Sequence, residues 1–203
     1  MKLNIQYLQR AWNDKVEDFD SYLKRVTGTL IEQIEKLSSI ATEFSHFAKM
    51  PAARREDVNL IDKIKSSVTL FSNSRDVEIQ TDFGGRQQII VHADGEQLLG
   101  VFNNLINNAV QAIPRGLTGL IRISTSVKQN SVLVKIEDNG KGIPEEIREK
   151  MFVPNFTTKT SGMGLGLAIV KSTIESAGGK IWFETDTGTG TSFYIELPLA
   201  SQS

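Results

Sequence analysis

Asp138-Asn139-Gly140-Lys141-Gly142-Ile143-Pro144 is the stretch that decides how this chain folds. Just before it, Val132, Val134 and Ile136 alternate with other residues, the period-two pattern of a strand with one buried face. A carboxylate closing such a strand, followed by glycines at 140 and 142, places a hydrogen-bond acceptor beside backbone that a ligand can approach closely. Upstream, Gln129-Asn130 separates residues 131–137 from residues 120–126, both rich in β-branched side chains, so the two runs are predicted to form an antiparallel hairpin.

Outward from the hairpin the pattern stays mixed. Asn59 is placed to cap a helix over 60–71, strands are expected at 77–83 and 88–92, and Asp94 opens a helix running to about 113. On that helix Asn104 and Asn108 stand four residues apart, hence on one face, and are expected to present two amide oxygens to one site. Downstream, a short helix is expected near 145–150. Gly162-Met-Gly-Leu-Gly-Leu167 then leads into a helix over about 165–177, which Gly178-Gly179 stops. The unsatisfied N–H groups and dipole at that helix start favour an anion. Strands at 180–184 and 191–197, joined by a Gly188-Thr189-Gly190 turn, complete the chain.

Ahead of this region lies a different pattern. Leu23, Val26, Leu30, Leu37, Ile40, Phe44 and Phe47 follow heptad spacing, broken at Gln33, and predict a long helix with a bundle face that ends near Met50 because Pro51 follows. Residues 3–12 also read as helix, with a charged turn over 12–20 between the two. The organisation expected is therefore a partial helical hairpin over 1–50, a polar hinge over 51–57, and a mixed α and β domain over 58–203.

With 203 residues the chain has room for one well-buried domain and an appendage. A net charge of −1 leaves no broad basic field, so nucleic acid is not expected as a partner. There is no cysteine, which removes disulfides, thiolate metal sites and thiol nucleophiles, and makes the cytoplasm the default location. No apolar run nears the roughly 20 residues needed to cross a bilayer, nor does the N-terminus have the layout of a signal peptide. The chain as given is expected to be soluble, with any membrane segment of a longer parent lying upstream of Met1.

Four clusters occur in order: Asn104-Leu-Ile-Asn-Asn108-Ala109, Asp138 through Pro144, Phe152 through Lys159, and Gly162 through Leu167. Together they resemble the N, G1, F and G2 boxes of the Bergerat-fold ATPases, the superfamily of histidine kinases, type II topoisomerases, Hsp90 chaperones and MutL mismatch-repair proteins. The resemblance implies an α+β fold, a two-layer α/β sandwich with a mixed sheet of about five strands and helices on one face, preceded here by a helical hairpin remnant. It implies ATP and Mg²⁺ as ligands. Asn108 matches the magnesium ligand, and Asp138 the carboxylate that accepts from the adenine amino group. Gly140, Gly142 and Ile143 line the nucleotide, as does Thr191, which contacts the adenine end through water. Gly162, Gly164, Leu165, Gly166 and Leu167 take the phosphates. The stretch 143–163 reads as a lid that carries Thr158, also a nucleotide-binding candidate, and Lys159, placed to reach the terminal phosphate.

Asn104 separates the branches of that superfamily. Those that attack ATP with water place a glutamate four residues before the magnesium asparagine, and an amide cannot take a proton from water. The resemblance is therefore closest to the sensor histidine kinases, with the phosphoryl group passing to a histidine and then to the receiver domain of a response regulator. Phe156-Thr-Thr-Lys159 and Asn108-Ala-Val-Gln-Ala-Ile113, with Gln111 where many relatives carry lysine, resemble the nitrogen-regulation type. The N-terminal helices resemble the dimerisation and phosphotransfer hairpin without the segment bearing the phosphoacceptor histidine. His46, followed by Phe47 in place of an acidic residue, does not match that acceptor, and neither does His92. The expectation is a homodimerising cytoplasmic portion of an inner-membrane sensor that binds ATP or ADP and does not phosphorylate itself. Two other readings are weighed against it: a Bergerat-fold ATPase acting as a chaperone or DNA clamp, which the missing glutamate opposes, and a non-enzymatic dimerisation scaffold, which the intact glycines and Asp138 oppose.

Overall fold

A computed structural model of the chain describes residues 2–14, 18–48, 53–72, 76–114, 116–157 and 164–200. The packing separates into a unit of N-terminal helices and a unit holding residues 53–156 and 164–200. In the first, α1 (Lys2–Asn13) and α2 (Phe19–Ala48) pack together. The ring of Trp12 meets that of Phe19 edge-on at 5.3 Å, tying the end of one helix to the start of the next. Of the predicted heptad positions, Val26 and Leu30 are half-buried and Leu23 is 37% exposed. The side chains of Leu37, Ile40, Phe44 and Phe47 lie outside those described.

The second unit runs β1 (Glu56–Asn59), α3 (Leu60–Phe71), β2 (Val77–Asp82), β3 (Ile90–Ala93), α4 (Gly95–Ala112), β4 (Gly119–Lys128), β5 (Ser131–Asp138), α5 (Glu145–Arg148), α6 (Gly166–Ser176), β6 (Lys180–Asp186) and β7 (Gly190–Pro198). Five strands form a mixed sheet in the order β2-β4-β5-β7-β6, where only the β2–β4 pair is parallel. This is the α+β architecture expected, with α4 and α6 packed on the sheet and α3 packed on α4. Both predicted caps form. Asn59 Oδ1 accepts from Ile61 N at 3.3 Å, and Asp94 Oδ1 accepts from Glu96 N and Gln97 N, each at 3.0 Å. The core lies between helices and sheet, where Phe102, Leu105 and Ile106 of α4 meet Ile136 of β5 and Ile195 of β7, none more than 1% exposed. Alternation along β5 and β7 puts Val132, Val134, Ile136 and Asp138, and Thr191, Phe193, Ile195 and Leu197, on this one face.

Several boundaries differ from the sequence reading, among them that β4 and β6 each run two residues further, to Lys128 and Asp186. The stretch expected as a hinge over 51–57 is already strand at Glu56, since β1 pairs antiparallel with β3 in a separate two-stranded sheet, Glu56 opposite Ala93 and Asp57 opposite His92. Arg54 N donates to Asp94 Oδ2 at 2.9 Å, and the Arg55 guanidinium donates to the carbonyl of Ser176. From Arg54 onward this segment is bonded to the domain, and its single apolar residue in the strand, Val58, is too little pattern to show it. Strand β3 also lies later than the 88–92 expected.

Candidate functional site

The four asparagines of α4 divide by helical phase. Asn103 Oδ1 accepts from Ser67 Oγ of α3 at 2.7 Å, while Asn107 is exposed and accepts from Gln111 Nε2 at 3.2 Å. Asn104 and Asn108 are half-buried one position further round the helix from Asn103 and Asn107, and there Asn108 Nδ2 donates to Asn104 Oδ1 at 2.9 Å. Gly166, at the start of α6, packs directly on the Asn104 amide, so closely that a Cβ there would collide with Nδ2. Helical spacing brings Asn104 and Asn108 together as expected, but the Asn104 oxygen accepts from Asn108 where two oxygens presented to one site were expected, and Gln111 bonds to Asn107.

Asp138 ends β5 with 5% of its surface exposed. Burial pushes its carboxyl above the ordinary aspartate range, opposed by backbone N–H bonds from Gly140 and Thr191, while Glu137 adds to the rise. The Gly140 N–H reaches Oδ1 at 2.8 Å, and a Cβ on Gly140 would lie 2.7 Å from Ala112 Cβ. Lys141 N donates to Ala112 O at 3.0 Å and Gly188 N to Lys141 O at 2.9 Å, so the loop is held between the end of α4 and the β6–β7 turn. Gly142 has φ +70° and abuts the Asp186 carbonyl, a conformation and a clearance that both exclude a side chain. Asn139 is structural: its Oδ1 accepts from Leu120 N at 2.8 Å and its Nδ2 donates to Thr118 O at 3.1 Å.

Ile143 is buried, and its N–H donates to Thr185 Oγ1 at 2.9 Å. Thr185 Oγ1 also lies 2.9 Å from Gly190 O and 3.0 Å from Thr191 Oγ1. The sequence reading missed Thr185, because it ended this strand at residue 184 and only the fold brings Thr185 to Ile143. Arg148 Nε donates to Ile143 O at 3.1 Å and steadies the chain entering α5. Beyond α5, the ring of Phe152 packs at a tilt against that of Phe183, 5.8 Å between centroids, and Phe183 likewise against Phe193 at 5.6 Å. Gly164, with φ +67°, comes back against the Phe156 carbonyl. Leu165 is buried and, as N-cap, makes no side-chain cap bond to α6, and the N–H groups of a helix start can donate to an anion. Leu167 is half-buried against the core. Thr158, Lys159 and Gly162 lie outside the described residues.

Of the two histidines, His92 is exposed on β3 and its Nδ1 lies 2.9 Å from Asp57 Oδ1. His46 belongs to α2, with its side chain outside those described. Among the described residues no group of three or more His, Asp or Glu side chains gathers to hold a metal. The donor set around Asn104 and Asn108 is neutral amide, which suits a magnesium ion that takes most of its oxygens from phosphate and water. The close glycine contacts and the buried acceptor Asp138 suit a planar base carrying an amino group.

Residues 93–201, more than half of the chain, match the family described as histidine kinase-, DNA gyrase B-, and HSP90-like ATPase. Sporulation kinase C of Bacillus subtilis is 27% identical over 98% of this chain and 45% of its own length. Sensor histidine kinase ZraS of Salmonella typhimurium is 34% identical over 85% of this chain and 37% of its own. The chain therefore spans less than half the length of these curated relatives. The nucleotide-free catalytic domain of histidine kinase ThkA superposes with a TM-score of 0.64 at 35% identity, covering 71% of this chain and 95% of that one. ThkA in complex with response regulator protein TrrA gives 0.71 at 27% identity, over 97% of this chain and 56% of that one. The nitrogen-regulation type expected from residues 108–113 and 156–159 is not supported, since these relatives are ZraS and a sporulation kinase.

Proposed function

The chain belongs to the histidine kinase-, DNA gyrase B- and HSP90-like ATPase family, and from that premise we propose that it moves the γ-phosphoryl group of ATP to a histidine side chain, as the catalytic domain of a sensor histidine kinase. The observation that carries this reading is Asn104. Its Oδ1 is engaged by Asn108 Nδ2 and its amide is covered by Gly166, so the position where a hydrolysing enzyme needs a base holds a fixed neutral amide. Water is left unactivated, and transfer to a positioned imidazole is favoured. The bond from the γ-phosphorus to the β-bridging oxygen breaks as a P–N bond forms, and ADP leaves.

Each part of the site has a role in this scheme. Asp138 accepts from the adenine amino group, with Thr191 beside it and Gly140, Gly142 and Ile143 forming the wall. Gly164, Leu165, Gly166 and Leu167 bring the start of α6 to the phosphates, where backbone N–H groups stabilise negative charge. Thr158, Lys159 and Gly162 complete the phosphate side. Asn108 is the protein's ligand to magnesium, which when bound supplies charge neutralisation across the phosphates.

Residues 1–50 act as part of a dimerising hairpin, 51–57 as the connection that is strand from Glu56, and 58–203 as the catalytic domain. Relay to a response-regulator aspartate is supported by the complex that ThkA makes with its regulator. We place the chain as the cytoplasmic portion of a longer inner-membrane sensor; among the described residues no helix is long and apolar enough to cross a membrane. Neither His46 nor His92 serves as acceptor, so the isolated chain takes up no label from γ-labelled ATP. Titration with a fluorescent ATP analogue tests the reading: saturable, magnesium-dependent binding displaced by ATP and ADP is expected, and no binding would overturn it.

A further inference from the structure

Thr185 stands at the meeting of three hydrogen bonds that fix which way its own proton and that of Thr191 point. A threonine hydroxyl has one proton to give and two lone pairs to receive with. The N–H of Ile143 can only donate, and reaches Thr185 Oγ1 at 2.9 Å. The carbonyl of Gly190 can only accept, and lies 2.9 Å from the same oxygen. The single proton of Thr185 therefore goes to Gly190. The remaining contact, Thr185 Oγ1 to Thr191 Oγ1 at 3.0 Å, must then carry the proton of Thr191. With its proton committed to Thr185, Thr191 Oγ1 has only lone pairs left to offer.

Thr191 is buried at 5% exposure and shares the helix-covered face of the sheet with Asp138, its register partner across β5 and β7. Asp138 also offers acceptor oxygens when ionised. We propose that Thr185 is a positioning residue for base selectivity, holding the Thr191 hydroxyl as a pure acceptor so that the pocket takes a base with an amino group at position 6 and disfavours one with a carbonyl there. The acceptor works directly, or through a water that donates one proton to Thr191 and its second to the ionised Asp138 beside it, leaving only lone pairs for the base. The inference rests on the adenine-nucleotide reading of the site and adds to it the residue that sets the polarity of Thr191.

Removing the Thr185 hydroxyl frees the Thr191 proton to turn into the pocket, where it can donate to a 6-carbonyl. The experiment measures affinities of the whole chain for the non-hydrolysable imido analogues of ATP and ITP, in wild type, Thr185→Val and Thr185→Ser, with thermal unfolding recorded for each. The ATP-to-ITP preference is expected to fall about five- to tenfold in Thr185→Val, the worth of one hydrogen bond, and to be kept in Thr185→Ser. A preference unchanged in Thr185→Val, or lost equally in Thr185→Ser, overturns the proposal. Should Thr185→Val fail to fold, Thr185→Ala removes the same hydroxyl: a fall of about five- to tenfold in the preference supports the proposal and an unchanged preference overturns it. Absence of ATP-analogue binding by wild type would instead sink the adenine-nucleotide reading itself.

Discussion

Asn108 Nδ2 donates to Asn104 Oδ1 at 2.9 Å across one turn of α4, and Gly166 covers the same Asn104 amide from α6. A methyl group at 166 has no room unless Asn104 moves. Alanine is favoured over glycine in a helix by about 1 kcal/mol, so stability alone does not argue against the change. Gly166→Ala is expected to weaken ATP-analogue binding at least tenfold, about 1.4 kcal/mol, with a melting temperature within a few degrees of wild type. Calorimetric titration beside thermal unfolding measures both; wild-type affinity in this variant would show that the Asn104 position is not needed.

Asp138 is held above the ordinary aspartate range mainly by burial, and the sign of its effect follows. An acid whose folded value is raised contributes stability that is fully present below the unfolded value and is lost as pH rises through the folded one. At neutral pH the charged carboxylate is a cost to the fold. Asp138→Asn is therefore expected to unfold at the same or a higher temperature at pH 7. Its amide oxygen still accepts from Gly140, which turns the NH₂ toward the adenine amino group, so ATP affinity should drop tenfold or more. In wild type, affinity should weaken on acidification at a pH above that of an exposed aspartate. Denaturation curves and titrations at several pH values check all three.

Asp94 has the opposite sign. Burial raises its pKa, but the backbone N–H groups of Gln97, Arg54 and Glu96, with the Arg54 charge, outweigh it and leave the carboxyl lowered. Stability from such a group is present above the unfolded value and lost as pH falls through the folded one. Asp94→Ala removes the cap of α4 and the tie to Arg54, and should cost about 1–2 kcal/mol at neutral pH. The loss should shrink in acid. Urea unfolding at neutral and acidic pH reads the difference.

Local chemistry made much of this molecule legible before its structure. Asn59 and Asp94 are caps because short polar side chains reach backbone N–H groups two or three residues on, a rule that needs no tertiary information. The Gln129-Asn130 turn, with Gln129 at φ 47°, joins β4 and β5 where alternation predicted a hairpin. Asn104 and Asn108 meet because helical phase alone puts them together. What stayed hidden depends on distant partners. The strand Glu56–Asn59 exists through its pairing with β3, and its own residues show little β pattern. Thr185 gains its role from Ile143 and Gly190, brought to it by a loop and a turn. That Asn103 bonds to α3 could not be read from a run of amides until the fold brought Ser67 to it.

The central claim is that this pocket transfers a phosphoryl group and does not spend it on water. The direct measurement follows γ-labelled ATP with magnesium, this chain, and a separately supplied helical hairpin bearing a phosphoacceptor histidine from a ZraS-type kinase. Inorganic phosphate and labelled hairpin are quantified together over time. Label accumulating on the hairpin as an acid-labile phosphohistidine, with phosphate release near background, is the predicted result. Sustained phosphate release with no label on the hairpin would contradict it.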